Sequence, residues 1–424
     1  MFEFLIFFIF SVIFIIYIKK LVNNDLLHPV FISTAYWISF ILISISMSVL
    51  FNLRFYWTGL IPLISILISF IGGALVYEKR KEKNDLSLSV PKEVIYNKNI
   101  IELRIKILIF SFSIMGIIAI IIQLVFLNLP INNFNDILQL ANKISVIRYS
   151  NQTDMPKYGL IFMAFLYSGS FLSGLYFVIF KGSKKICYLP IIIMLIYSLI
   201  NGVKLGFIYS IVLWVTGYIG MLIFTNADKA INLKGIIKKM ASFATAILLL
   251  IPLIQFFREG GLSRNSSFIA SIISYFGSFN ALSCWWNEYN LSLNPFKYTF
   301  SGLHNIFYED RVVGLFQENC VIGYYNNNEI ITNVYTIIRG LIDDFSIYGA
   351  IIIMFLIGYF MNFFYYKTKS RNIYAMLLLS MCFSILFCSI FSNMLNYNVI
   401  LLSWFISFIF IYLVFNVSYK LEHV

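Results

Sequence analysis

The sequence predicts an all-α, polytopic integral membrane protein with about eleven transmembrane helices and one large extracytoplasmic loop between the eighth and the ninth. Three observations predict it. Of 424 residues, 60% are hydrophobic and only 12% are charged, whereas a globular domain is nearer half apolar, so lipid must solvate much of the surface. Apolar stretches of about 20 residues, the length that crosses a hydrocarbon core, recur along the chain. A single long segment, residues 257–345, interrupts them with polar, charged and aromatic side chains.

Taken in order, the apolar stretches fall at 2–18, 29–52, 57–77, 103–128, 158–180, 186–203, 205–224, 240–256, 346–366, 372–391 and 397–416. No basic residue precedes the first and no small-residue cleavage site follows it, so it reads as a retained helix rather than a signal peptide. Only a tight turn at Asn201–Lys204 separates the sixth from the seventh. Eight Lys and Arg between Glu78 and Lys106 place that connector in the cytoplasm, and alternation fixes the remaining loops. Of the 31 Lys and Arg, 21 then lie on the inner side and 10 on the outer side, although the outer segments are longer. This bias puts the N-terminus outside and the C-terminus inside. A further helix within 266–284 would make the count even and bring the N-terminus inside. The chain thus divides into residues 1–256 (spans one to eight, connector 78–106, outer loop 129–157), the loop 257–345, and residues 346–424 (spans nine to eleven).

Several function classes are excluded by what the chain contains. A net charge of +12 in such an apolar chain reports sidedness rather than nucleic-acid binding. The five Cys form no CxxC pair and the three His are far apart, so neither a metal nor another cofactor is expected. Cys284 and Cys320 share the large loop; they bridge if that face is oxidising and otherwise stay free thiols. There is no GxxxxGK loop, and the connector 78–106 is too short for a nucleotide-binding domain, so ATP does not drive this protein. The halves show no repeat, unlike many transporters.

The chemistry-bearing residues are on the expected outer face. Arg258 follows the outer end of the eighth span and Arg339 lies just before the ninth; Arg148 and Lys204 add two cations. A guanidinium at a helix end grips a phosphate or diphosphate bidentately, though the same residues also serve as plain anchors to lipid headgroups. Aromatic residues crowd the loop, among them Trp285, Trp286, Tyr289 and Tyr298, and such rings either stack on sugar faces or form an interfacial belt. Carboxylates for general-base work are Glu259, the Glu309–Asp310 pair and the Asp343–Asp344 pair, and His304 is the single His on this face.

The run Thr332-Asn333-Val334-Tyr335-Thr336-Ile337-Ile338-Arg339, followed by Asp343-Asp344-Phe345-Ser346-Ile347-Tyr348-Gly349, resembles a segment of the O-antigen polymerases, the Wzy-type oligosaccharide repeat unit polymerases. In that family a TNVYT-like run and an Arg precede a DFG-like turn into the next span; here Ser346 replaces the usual Gly, and Asp344 matches the family's Asp. Ten residues separate Arg148 from Gly159 in an RX10G spacing, and Gly202-x-Lys204 stands where the family often has Gly-x-Arg. The resemblance implies metal-independent glycosyl transfer on the outer face of the bacterial inner membrane, joining undecaprenyl-diphosphate-linked oligosaccharides into an O-antigen or capsule-like polysaccharide. It further implies that Arg148, Lys204, Arg258 and Arg339 bind diphosphate, that Asn333 and Tyr335 contact substrate, and that Asp344, Glu259 or His304 deprotonates the acceptor hydroxyl. A polysaccharide chain-length regulator is an implied partner besides membrane lipid. Two rivals share the layout: an O-antigen ligase and a flippase for the lipid-linked unit.

Overall fold

The computed structural model describes residues 2–83, 98–127, 140–144, 157–180, 184–225, 268–290, 295–307, 319–325 and 328–420, with isolated positions at 146, 250, 253 and 254. In chain order the helices are α1 (Phe2–Leu21), α2 (Pro29–Phe51), α3 (Leu60–Lys83), α4 (Lys98–Leu127), α5 (Lys157–Ile179), α6 (Leu189–Asn201) and α7 (Lys204–Thr225). Short helices α8 (Phe268–Phe276), α9 (Ser278–Asn287) and α10 (Ser301–Phe307) follow, then strands β1 (Cys320–Tyr325) and β2 (Asn328–Thr332). Helices α11 (Ile337–Lys369), α12 (Ile373–Cys388) and α13 (Asn398–Lys420) complete the described chain. Eight helices among the described residues are long and apolar enough to cross a membrane, and shorter apolar helices occupy Lys185–Asn201 and Ile373–Cys388. The chain is therefore a multi-pass, helical membrane protein. The expected eighth span, 240–256, lies almost wholly outside the described residues, as does most of the expected outer loop 129–157.

Two compact units make up the chain: Met1–Ser89 with Ile272–Asn398, and Val90–Ser271 with Val399–Val424. In the first, α3 and α11 meet backbone to backbone. A Cβ on Gly358 would fall 2.0 Å from the Phe70 carbonyl oxygen, and one on Gly73 1.9 Å from that of Phe355. Lipid tails are as apolar as the helix surfaces, so association rests on close packing and interhelical hydrogen bonds, which small residues permit. Ser69 Oγ donates to the Ile351 carbonyl at 2.6 Å, and Asn362 Nδ2 donates to that of Ala74 at 2.9 Å. Gly358→Leu is accordingly expected to abolish the folded protein, and Gly358→Ala to lower its thermal midpoint in detergent. Wild-type melting of the Leu variant would mean the helices do not meet here.

Near the C-terminal end of α11, charged groups clasp the same unit. Lys369 Nζ donates to Asp25 Oδ2 at 2.6 Å and the Tyr365 hydroxyl donates to the same oxygen. His28 caps α2, its Nδ1 accepting from Val30 N at 3.3 Å, while its Nε2 lies 2.8 Å from Glu78 Oε1. These partners give His28 a structural assignment.

In the second unit, α5 and α7 pack by the same device, with a Cβ on Gly174 meeting the Trp214 carbonyl oxygen at 2.1 Å and one on Gly217 that of Phe171 at 2.5 Å. The expected turn between α6 and α7 is present: Gly202 takes φ 61° and closes the helix by donating to the Ser198 carbonyl. Gln123, one of few large polar residues in a span, hydrogen-bonds Asn201, whose Nδ2 also donates to the Tyr197 carbonyl at 2.8 Å.

Parts of the 257–345 segment have secondary structure of their own. Strands β1 (Cys320–Tyr325) and β2 (Asn328–Thr332) pair antiparallel, with a register irregularity between Val321 and Gly323. Burial alternates along β2 from Glu329 to Thr332, and Ile322 and Ile330 join a buried cluster with Leu53, Ile273 and Ala281. The stretch 266–284, a possible extra span, instead contains parts of two helices of 9 and 10 residues broken at Gly277. At 1.5 Å per residue, neither reaches across a core of about 30 Å.

Candidate functional site

The site is organised by a break near the start of α11. Ser346 takes φ 61° and ψ 174°, which splits the helix into a short arm, residues 337–345, and a long apolar one. The long arm, about 23 residues from 347 to 369, is the length of a membrane span. The break falls where the sequence places the start of the ninth span. That backbone region is essentially reserved for glycine and costs a non-glycine residue about 1–3 kcal/mol. Ser346→Gly should therefore raise stability by about 1 kcal/mol, after allowing for glycine's greater unfolded-state freedom. A denaturation midpoint shifted downward in that variant would contradict the assigned backbone.

Asp344, on the short arm, fixes the chain that covers it. Its Oδ1 accepts from Tyr298 N at 2.9 Å and its Oδ2 accepts from Thr299 N at 2.6 Å. Asn393, in the turn between α12 and α13, holds the same strap from the other side, its Nδ2 donating to the Thr299 carbonyl at 2.6 Å and to Asn396 Oδ1 at 3.0 Å. The first residue of α11 is tied to the end of α12, Ile337 N donating to the Ser389 carbonyl at 2.7 Å. The hairpin is tied down too, through Thr332 Oγ1, which donates to the Ser274 carbonyl at 2.7 Å and accepts from Val334 N at 3.0 Å.

Between these anchors lies a cavity with an empty volume of about 320 Å³, its open mouth included. Tyr298, Asn333, Tyr335 and Thr336 line one part; Ser392, Asn393 and Asn396 line another; Ile337 and Gly340 supply the first turn of α11. Its polar lining consists of amides, phenols and hydroxyls, with no charged side chain. Thr336 occupies the N-cap position of α11 without capping it. Its Oγ1 and Ser392 Oγ are buried, with no hydrogen-bond partner among the described residues. Two hydroxyls are thus available to a polar ligand, and the N-terminal end of a helix adds partial positive charge.

Arg339 sits behind Tyr335 and is only 4% exposed. Its guanidinium carbon is 4.1 Å from the Tyr335 ring centre and 5.4 Å from that of Trp285, and its Nε is 3.5 Å from Asp343 Oδ2. The guanidinium is therefore held between aromatic rings and partly neutralised, not displayed at the surface as a headgroup anchor would be.

Asn333, Tyr335, Arg339 and Asp344 are gathered into one neighbourhood of the first unit. His304 lies on α10, half-buried and not lining the cavity. Lys204 belongs to the second unit, where it is 7% exposed at the first turn of α7. Arg148, Arg258 and Glu259 lie outside the described residues. Sequence reasoning passed over Ser392, Asn393 and Asn396, although a cluster of polar residues in so short a connector between two spans was a usable signal. Among the described residues no group of His, Cys, Asp and Glu has metal-binding geometry. No protein-family model matches the chain, and none of the curated proteins or solved structures matches it.

Proposed function

We propose that this protein is a glycosyltransferase of the bacterial inner membrane that polymerises undecaprenyl-diphosphate-linked oligosaccharide repeat units, with the 257–345 segment on the extracytoplasmic side. The observation that carries this reading is the cavity at the head of α11. Amides, phenols and hydroxyls are the groups that bind sugar hydroxyls, and they occur here at the mouth of a membrane helix, where the sugar of a lipid-linked substrate would lie. The resemblance around 332–349 contributes independently, since Ser346, which stands in place of the family's Gly, is the residue with positive φ.

Within this reading Asn333 and Tyr335 contact the glycan, and Arg339 stabilises the charge that develops on the departing diphosphate, assisted by the helix N-terminus. Arg148, Lys204 and Arg258 are the further diphosphate candidates. Asp344, with its oxygens already accepting from two backbone amides, is better suited to positioning than to proton transfer. His304 and Glu259 remain the base candidates. No nucleotide enters the scheme, because the lipid diphosphate bond stores the energy.

Deleting the encoding gene tests the reading. The expected cells carry single repeats on the undecaprenyl carrier or on the lipid core, and no polymer. Finished polymer accumulating on undecaprenol would indicate a ligase instead, and single repeats trapped on the inner leaflet would indicate a flippase.

A further inference from the structure

Cys284 and Cys320, which share the large loop, are half-buried and have no part in the candidate site described above. They come from elements 36 residues apart in sequence, yet both belong to the layer where α9 packs on β1. The face each occupies follows from periodicity. Ala281, one helical turn before Cys284, is in the buried cluster between these elements, and Cys320 pairs with Thr332, two strand residues along β2 from the clustered Ile330. Cys320 itself packs against that cluster. The two side chains are therefore on facing surfaces, and their thiols are hydrogen-bonded to each other.

We propose that Cys284 and Cys320 form a redox modification site, closed into an intramolecular disulfide by exchange with a disulfide oxidant of the extracytoplasmic compartment. The proposal rests on the sidedness argued above for that segment. The environment distinguishes the two sulfurs. The bond from Cys284 holds the Cys320 thiol below the ordinary thiol range, with Arg339 and Arg54 acting in the same direction; its partner role and burial push Cys284 up. Whichever thiol ionises first displaces one thiol from the oxidant and leaves a mixed disulfide; the other, on losing its proton, displaces the second. One S–S bond forms and one breaks, the protein gives up two protons and two electrons, and the oxidant departs as two thiols.

The bridge would hold a wall of the candidate site. Trp285 follows Cys284 directly and stacks near the Arg339 guanidinium. β1 pairs with β2, whose last residue Thr332 immediately precedes the cavity-lining Asn333. Linking α9 to β1 therefore fixes the aromatic box around Arg339 relative to the hairpin.

The test uses the full-length protein, both in membranes of the expressing cells and purified in detergent with oxidised glutathione. Free thiols are blocked with N-ethylmaleimide under denaturing conditions, the protein is reduced, and newly exposed thiols are counted with a maleimide-coupled polymer on a gel. Two tags are expected after reduction in wild type and none in Cys284→Ser or Cys320→Ser. Mass spectrometry of the unreduced wild-type digest should identify the linked peptides even if a variant folds poorly. A purified wild-type protein that keeps both thiols free in oxidised glutathione, or a linked peptide containing another cysteine, overturns the proposal. Bridging in detergent but not in cells supports the pair and contradicts the extracytoplasmic placement on which its oxidation in cells depends.

Discussion

Replacing Arg339 by Met together with Asp343 by Leu is expected to leave the protein folded and to reduce glycan polymerisation about 10²–10³-fold, the loss seen when a charge-stabilising donor is removed from an active site. The single changes should behave differently. Arg339→Ala leaves Asp343, and Asp343→Ala leaves Arg339, as a buried charge without its partner, so each should destabilise by about 3–5 kcal/mol. An apolar pair of similar volume removes both charges and has no such penalty. Stability and turnover therefore separate in the double variant, which a purely structural ion pair would not allow. Arg339→Lys should also lose most activity, because an ammonium lacks the planar face that lies between Tyr335 and Trp285. Thermal midpoints and polymer length on gels read the two effects.

The second large effect is expected at Asp344. Its carboxylate accepts backbone hydrogen bonds from both Tyr298 and Thr299, and bonds to a charged acceptor are worth about 1.5–3 kcal/mol each. Asp344→Ala should cost about 3–5 kcal/mol and release the strap that carries Tyr298 over the cavity. Asp344→Asn keeps one acceptor oxygen but turns an amide donor toward N–H groups, so it should be intermediate in stability. If Asp344 positions rather than transfers protons, the Asn variant retains measurable turnover and the pH profile keeps its shape. Complete loss of turnover at undiminished stability would instead make Asp344 the proton acceptor.

Much of the membrane architecture could be read from the sequence because hydrophobicity alone dictates it. The stretches at 2–18, 29–52 and 57–77 needed only their length, and the Asn201–Lys204 turn needed only a glycine able to take positive φ. The start of the ninth span at 346 was legible as well, since the apolar pattern begins there, but the helical arm that precedes it was not. Pairwise packing was not. Nothing in the spacing of Gly73 and Gly358 says that these two glycines meet, because membrane helices share no hydrophobic stripe that would reveal the partner face. The hairpin was hidden by its brevity, with strands of six and five residues inside an aromatic-rich segment that also suited an interfacial belt.

The candidate site was half legible. Asn333, Tyr335, Arg339 and Asp344 stood out as a contiguous motif, and they are neighbours in space. What the motif could not convey was the environment of each side chain. Arg339 has the composition of an exposed interfacial cation and the surroundings of a buried one. Asn393 and Asn396 join the cavity only because the strap at Thr299 folds back onto the α12–α13 turn, a long-range contact without a local signature.

The most direct test of a polymerase with its sugar site at the head of α11 is turnover of a synthetic undecaprenyl-diphosphate-linked repeat by the purified protein, without nucleotide or added metal. A ladder of products differing by one repeat, shortened or lost in Asn333→Ala and Asn393→Ala variants that remain folded, is the result expected. An unchanged lipid-linked monomer from well-folded wild-type protein, or a ladder indifferent to both substitutions, would contradict it.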